Sequence, residues 1–333
     1  PIPAFVYLGE EDPRHLRSRN MLRMRNLNLF LFPDQSRLRR FGKLFPCPLP
    51  FRTAGADRDK NWPSLICRPA RVAPVLSSLI TPVYNRVDYT LRCAQSVLAH
   101  TPASPFEWIF IDNGSSDATA KRLADLARKD RRIRIISNRQ NLGFACAVNQ
   151  GLRKARGQTL VLLNNDTLVS PGWLEGLSSC LEHDPGLGAV GPCTNEAADC
   201  HQHSDVSYNV RHFNAFAVAW SLQHAGRIRP MHRLIGFCMA LRRQAYEQVG
   251  LFDERFRIGG YEDYDYCLRL RQAGWRLGLA EEVFIHHFGH VSYQNTSSWQ
   301  QTSAANREVF LDKWTRKSLE FLDNVSDLKI GRV

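Results

Sequence analysis

Residues 159–169 read TLVLLNNDTLV. A short apolar run bounded by turn residues is the pattern of a strand buried on both faces. The run stops at Asn164-Asn165-Asp166, side chains that fold back onto their own backbone in turns. A carboxylate at the end of a buried strand is also a common way to hold Mg²⁺ or Mn²⁺ beside a phosphate. Turn and ligand are therefore both open readings of the three polar residues.

Working outward, the same pattern repeats. VLSSLIT (75–81), FEWIFID (106–112) and RIRIIS (132–137) read as strands, and TLVLLNN (159–165) is the fourth. Between them, VDYTLRCAQSVLA (87–99), the run ATAKRLADLARKD opened by Asp117 as N-cap, and GFACAVNQGLRKA (143–155) carry apolar residues at helical spacing. Strands alternating with helices predict an α/β fold with a mostly parallel central sheet flanked by helices.

Such sheets bind ligands at the carboxyl ends of their strands. The residues there are Pro82-Val83-Tyr84-Asn85-Arg86, the run Asp112 to Asp117 (DNGSSD), Asn138 to Gly143 (NRQNLG), and Asn164-Asn165-Asp166. Four polar, turn-capable clusters at one sheet edge would form a crevice that a single turn does not require.

The 333 residues are 44% apolar, enough to bury a full core in one large or two smaller domains. No apolar run reaches the roughly 18 to 20 residues that span a bilayer, and no charged-then-apolar signal opens the chain. Because the first residue is not Met, a signal or anchor upstream of Pro1 stays open. The nine cysteines are odd in number, scattered and without CxxC spacing. They read as reduced thiols of a cytoplasmic protein, peripheral at most to the inner membrane face, rather than a disulfide framework or zinc site.

Net charge is +12, of which residues 1–73 hold +8 (14 Lys/Arg against 6 Asp/Glu). This Arg/Pro-rich extension reads as a solvated surface or packing arm, or more sharply as a face for anionic membrane, phosphorylated glycan or another domain. No nucleic-acid motif accompanies the charge, which argues against nucleic acid as a partner. The chain divides into this extension (1–73), a catalytic domain (74–295) and a C-terminal helical segment (296–333).

Familiar nucleotide motifs fail. There is no GxxxxGK[ST], and the GxGxxG at Gly186–Gly191 follows a helix and enters a strand, the reverse of a dinucleotide fingerprint. His201 and His203 lack a paired cysteine or acidic ligand, so chance or acceptor contact outweighs a metal site. GGYEDYDYCLRLRQAGW (259–275) crowds Glu262, Asp263 and Asp265 into the first turn of a helix. The helix dipole favours acidic residues there. Three carboxylates exceed what a cap needs, and their mutual repulsion can raise one pKa into the range of a base. VFIHHFGHVS (283–292) ends a strand with His286, His287 and His290, candidate ligands beside a phosphate site.

In order, PVYNR, DNGSSDAT, NLGFACAVNQG, LLNNDTLV, GGYEDYDYCLRLRQAG and HHFGHVS resemble the family 2 inverting glycosyltransferases of the GT-A fold, particularly bacterial rhamnosyltransferase-like enzymes. The resemblance covers about residues 75–293, and its weight lies in six motifs in the right order. It implies a Rossmann-like GT-A domain. It also implies a nucleotide pocket built from Pro82, Tyr84, Asn85, Arg86, Asp112 and Asn113, closed by Asn141 and Gly143. Asn165 and Asp166 match the DxD-type position, with Asp166 on a Mn²⁺ or Mg²⁺ ion that bridges the donor phosphates. Asp263, in the Glu262-Asp263 pair, matches the catalytic base. His287, with His286 and His290 as lesser candidates, matches a histidine that completes the metal shell. The implied donor is a UDP- or dTDP-linked sugar, and the acceptor a glycan, lipid-linked glycan or protein hydroxyl.

The chemistry points the same way. A sugar nucleotide carries a good leaving group, so an enzyme must neutralise a departing diphosphate and remove a proton from the acceptor hydroxyl. Direct displacement inverts the anomeric carbon.

Three departures stand out. The metal motif is Asn-Asn-Asp rather than Asp-x-Asp, Ala118 replaces a frequent glycine, and Cys146 stands where a smaller residue is usual. Residues 200–233, rich in aromatics, His and Arg, match no shared motif and are expected to shape the sugar and acceptor sites. A sugar-nucleotide pyrophosphorylase would need a glycine-rich basic loop where PVYNR stands. A non-catalytic carbohydrate- or membrane-binding module would have no use for both Asp166 and the Glu262-Asp263 pair.

Overall fold

A computed structural model of the chain describes residues 76–101, 104–197, 202, 204, 206–289 and 296–323, with three short strands near the N-terminus. The chain forms two compact units, Pro1–Ala73 and Pro74–Val333. In the first, Val6–Tyr7, Phe30–Phe32 and Arg52–Thr53 pair in parallel as a three-stranded sheet of their own.

The second unit is built on a nine-stranded sheet. Its elements are β1 (Ser77–Val83), α1 (Val87–His100), β2 (Phe106–Asp112), α2 (Thr119–Lys129), β3 (Ile133–Ser137), α3 (Phe144–Lys154), β4 (Thr159–Leu163) and β5 (Thr167–Leu168). They continue with α4 (Trp173–His183), β6 (Leu187–Thr194), α5 (Phe213–Gln223), β7 (Ile228–Met231), β8 (Cys238–Arg242), α6 (Arg243–Val249), α7 (Glu262–Gln272), β9 (Arg276–His287), α8 (Thr296–Lys313) and α9 (Arg316–Asp323). The strand order is β7-β9-β6-β8-β4-β1-β2-β3, with β5 paired to β9.

β1 to β4 pair in parallel, as the strand–helix alternation predicts. β8 then inserts antiparallel between β4 and β6, and β9 lies parallel to β6. β1, β2, β3, β4, β6 and β9 therefore all point the same way, and their carboxyl ends share one edge.

The central strands are buried on both faces, and alternate residues feed two cores. Ile80, Ile109, Leu160 and Leu162 face Ala147, Val148 and Leu152 of α3, with Tyr266 and Leu270 of α7 in the same core. Leu79, Trp108, Val161 and Leu163 face Cys93 and Val97 of α1 and Trp173 and Leu177 of α4. Gly151 of α3 sits so close to β1 that a Cβ there would stand 2.4 Å from Ile80 Cγ2.

Several boundaries shift from the sequence reading. β4 ends at Leu163, so Asn164 and Asn165 belong to the loop. α2 starts at Thr119, and Asp117 caps from outside, its Oδ1 accepting from the Thr119 amide at 2.9 Å while Oδ2 takes the Val87 amide at 3.2 Å. The GxGxxG (186–191) follows α4 after a short turn and runs into β6, the context that excludes a dinucleotide loop. No helix among the described residues is long and apolar enough to cross a membrane.

Candidate functional site

The loops after β1, β2 and β3 are tied into one rim. Pro82 is half-buried in the last turn of β1 and Tyr84 is exposed beyond it. Asn85 and Arg86 take left-handed backbone, φ 56° and 59°, which turns the chain sharply into α1. Asn85 Oδ1 accepts from the Ser116 amide at 2.8 Å, and Asp112 Oδ1 from the Ser115 amide at 3.0 Å, so the two acidic and amide side chains shape the DNGSS turn.

Asn113 is the hub. Its Nδ2 donates to Asn141 Oδ1 (2.8 Å) and to the Gly143 carbonyl (3.2 Å), and its Oδ1 accepts from Asn138 Nδ2 (3.0 Å) and the Leu142 amide (3.1 Å). Two donated and two accepted bonds exhaust an amide side chain. Asn113 therefore braces the NRQNLG loop rather than presenting a free group. Gly143, at φ 88°, brings the loop against residue 257, where a Cβ would meet the Arg257 carbonyl carbon at 3.1 Å.

The stretch after β4 is both turn and presentation. The Asn164 amide donates to the Phe237 carbonyl (2.8 Å), the Asn164 carbonyl accepts Thr167 Oγ1 (2.8 Å), and buried Asn165 donates to Thr90 of α1 (2.9 Å). Asp166 is turned the other way and meets His287, with Oδ1 and Nε2 3.3 Å apart. The His287 Nδ1 faces the Glu196 carbonyl at 3.0 Å, and its amide and carbonyl are clasped by the Asn195 side chain, both at 3.0 Å. Burial opposes a charged His287 ring, yet the Asp166 carboxylate and the Glu196 carbonyl prevail and raise its pKa.

The other histidines part company with it. Successive strand residues face opposite sides, so His286 turns into an aromatic group with Tyr208 and Phe213, its Nδ1 2.6 Å from the Tyr208 hydroxyl. Burial, with His287 next to it, pushes its pKa down to about 4, so the ring is neutral. It does not share the Asp166 contact. His290, His201 and His203 lie outside the described residues.

The acidic helix start splits similarly. Asp265 is fully engaged in structure, with Oδ2 accepting from Arg269 (2.9 Å) and Oδ1 held by Trp314 Nε1 (2.8 Å) and Lys313 Nζ (2.7 Å) of the C-terminal segment. Asp263 accepts the Gly236 amide at Oδ2 (3.1 Å) and its neighbour Tyr264's amide at Oδ1 (2.9 Å). Glu262 is buried, and its Oε2 has no hydrogen-bond partner among the described residues. Burial, then the Asp263 charge, pushes Glu262 up to about 8. Burial also raises Asp263, against the pull of the Gly236 amide and the Arg233 guanidinium. Both shifts favour a shared proton in the pair, and the amides on Asp263 bias it toward Glu262.

A short chain of contacts joins the two carboxylate sites. Asp166 meets His287, whose ring stacks on Phe237 at 4.9 Å, and the preceding residue, Gly236, binds Asp263. Gly236 and Phe237 precede β8 and had no motif to mark them; only the antiparallel insertion beside β4 brings them there. Asn195, Glu196, Thr90 and Tyr208 were missed for the same reason, since each acts through a tertiary partner.

At the carboxyl-end edge, Asp166 and His287 are thus linked through Phe237 and Gly236 to the buried Glu262-Asp263 pair. The glycosyl transferase family 2 model matches residues 78–250. The O-antigen biosynthesis protein RfbC of Myxococcus xanthus is 29% identical over 66% of this chain, which spans only 18% of that protein's length. The N-acetylglucosaminyl-diphospho-decaprenol L-rhamnosyltransferase of Mycobacterium tuberculosis is 24% identical over 62% of this chain and 75% of its own. Among solved structures, the mannosyltransferase PcManGT of Pyrobaculum calidifontis, in complex with GDP-Man and Mn²⁺, aligns over 74% of this chain and 67% of its own. Its TM-score is 0.53 at 19% identity, a likeness of fold.

Proposed function

The chain belongs to glycosyl transferase family 2, and on that footing we propose that it transfers a sugar from a UDP- or dTDP-linked donor to an acceptor hydroxyl with inversion, Asp263 acting as base. The observation that carries this is the contact path from Asp166 through His287, Phe237 and Gly236 to Asp263, which sets two carboxylates about 97 residues apart in sequence at one crevice. The acceptor hydroxyl attacks the anomeric carbon as its proton passes to Asp263, and the bond to the diphosphate breaks on the opposite face. Backbone amides from Gly236 and Tyr264 favour the ionised form of Asp263 against the burial that raises its pKa, while burial and then the Asp263 charge push Glu262 up to about 8. The rim braced by Asn113 and Asn141, with Tyr84, Asn85, Arg86 and Asp112, holds the nucleotide.

The donor set of Asp166 and His287 suits a hard divalent cation such as Mn²⁺ or Mg²⁺. Asp166 Oδ1 and His287 Nε2, which lie 3.3 Å apart, are the atoms that would hold it. The His287 Nδ1 bond to a backbone carbonyl is the outer-shell contact that leaves Nε2 as the ligand atom. Among the described residues no group of three or more such side chains assembles, so oxygens of the donor diphosphate would complete the shell. When bound, the ion supplies positive charge against the departing diphosphate.

The decaprenol-linked acceptor in the name of the M. tuberculosis relative supports a lipid-linked glycan as the acceptor class. The test is Asp263→Asn. Transfer falls by at least about a thousandfold while calorimetric donor affinity stays within twofold; normal turnover would sink the assignment.

A further inference from the structure

Charge in the second unit is concentrated at one sheet edge. Residues 121–156 hold eleven Lys/Arg against Asp125 and Asp130, a net +9, whereas residues 74–333 as a whole carry only +4 (30 Lys/Arg against 26 Asp/Glu). The remainder of the unit is therefore −5. The basic residues lie on α2, the edge strand β3, the end of α3 and the loops that join them, where β3 closes the sheet with β2 as its neighbour.

Part of this charge is neutralised in place. Arg122 and Arg128 pair with Asp125, Arg132 with Asp130, Arg134 and Arg156 with buried Glu107, and Arg153 with Glu254. Counting Glu107 and Glu254 against the eleven still leaves +7. Lys121, Lys129, Arg131, Arg139 and Lys154 are exposed, with no ion pair among the described residues.

Basic residues on an edge strand discourage pairing with another sheet. That need would be met by β3 alone, and most of the charge sits on the flanking helices. At the crevice end, the same edge exposes Leu142 (39%), and Gly143 beside it packs on the backbone leading to Ile258, itself 47% exposed. Exposed aliphatics beside a basic face are the composition of a surface that lies on a bilayer. Single-stranded nucleic acid would call for stacking aromatics, and residues 119–142 contain none.

We infer that the α2–β3 edge is a docking face for an anionic lipid bilayer, with Leu142 and Ile258 entering the headgroup layer at the crevice rim. The opposite polarity of the rest of the unit orients this unit edge-on, because a negatively charged plane attracts this edge and repels the others. Transfer chemistry plays no part in the binding, so the two readings stand or fall separately.

The full chain is sedimented, without donor, with phosphatidylcholine vesicles containing or lacking about one third phosphatidylglycerol. Binding is expected only with the anionic lipid and weakens on raising salt. Lys121→Glu, Lys129→Glu and Lys154→Glu should each lower the partition coefficient by about fivefold or more, and the triple variant by about a hundredfold. A control reversing exposed Arg316 and Lys317 of α9 should lose less than threefold, roughly the effect of a remote screened charge. Circular dichroism checks that each variant is folded. Equal binding to both vesicle types overturns the inference, as does a triple variant that binds like the parent, which would move the contact to the basic residues 1–73, or a control that loses as much as the triple.

Discussion

Replacing Glu262 by Gln separates the two roles a buried carboxylate can have. Gln matches the shape of a protonated Glu and cannot ionise. Glu262 titrates near 8 in the folded protein, raised from 4.5 by burial and then by Asp263. Between those values the folded state holds a proton that the unfolded chain has released. Stability of the parent therefore falls as pH rises through that window and levels off above about 8. One pH unit corresponds to about 1.4 kcal/mol for one fully linked proton, so the slope assigned to Glu262 is at most about 1.4 kcal/mol per unit. Urea unfolding at a series of pH values from 5 to about 9 measures it. The stability of E262Q relative to the parent should grow steadily across the window and then become constant. Parallel curves would refute the raised ionisation. Turnover adds a second reading: with Glu262 already protonated at neutral pH, E262Q keeps its rate within about threefold, whereas a loss comparable to that of D263N would make Glu262 the base.

Asp166→Ala and His287→Ala should each abolish the extra thermal stabilisation that Mn²⁺ adds to a nucleotide-sugar complex, read as a melting shift with and without the ion; an unchanged shift would remove that residue from the metal shell. Asn306 of α8 donates to the carbonyls of both Gly259 and Gly260, each at 3.0 Å, in the left-handed turn that leads to Glu262. Asn306→Ala should lower kcat by about tenfold with donor affinity unchanged, since small misplacements of a reacting group are costly; a proportional loss of melting temperature and binding instead would make its role structural. Gly114→Ala should cost about 2 kcal/mol or more in urea unfolding, because φ is +82° and the new Cβ would stand 2.7 Å from the Gln140 backbone.

The strand–helix alternation from residue 75 was legible because buried parallel strands are written as short, continuous apolar runs, and those runs recur at β1, β2 and β4 with turn residues at each end. The acidic crowding at Glu262–Asp265 was legible too. Its division was not: Asp265 and Asp263 are two residues apart on one helix start, and the former is taken up by Lys313 and Trp314 while the latter meets Gly236. The three histidines posed the same problem, and strand alternation turned His286 into an aromatic core and His287 toward Asp166.

VLLNNDTLV shows where the boundary falls. By itself the sequence determined that a buried strand stops at three turn-forming residues and that a parallel sheet brings such ends to one edge, since both follow from local pattern and chain connectivity. Only the tertiary structure decided which oxygen is presented. The Asn164 backbone is held to the Phe237 carbonyl and the Asn165 side chain to Thr90, while the Asp166 carboxylate meets His287, and these partners lie 73, 75 and 121 residues away in the chain. Side-chain orientation depends on contacts whose sequence separation no local pattern encodes: β8 brings Phe237, α1 brings Thr90, and the pairing of β9 with β5 brings His287.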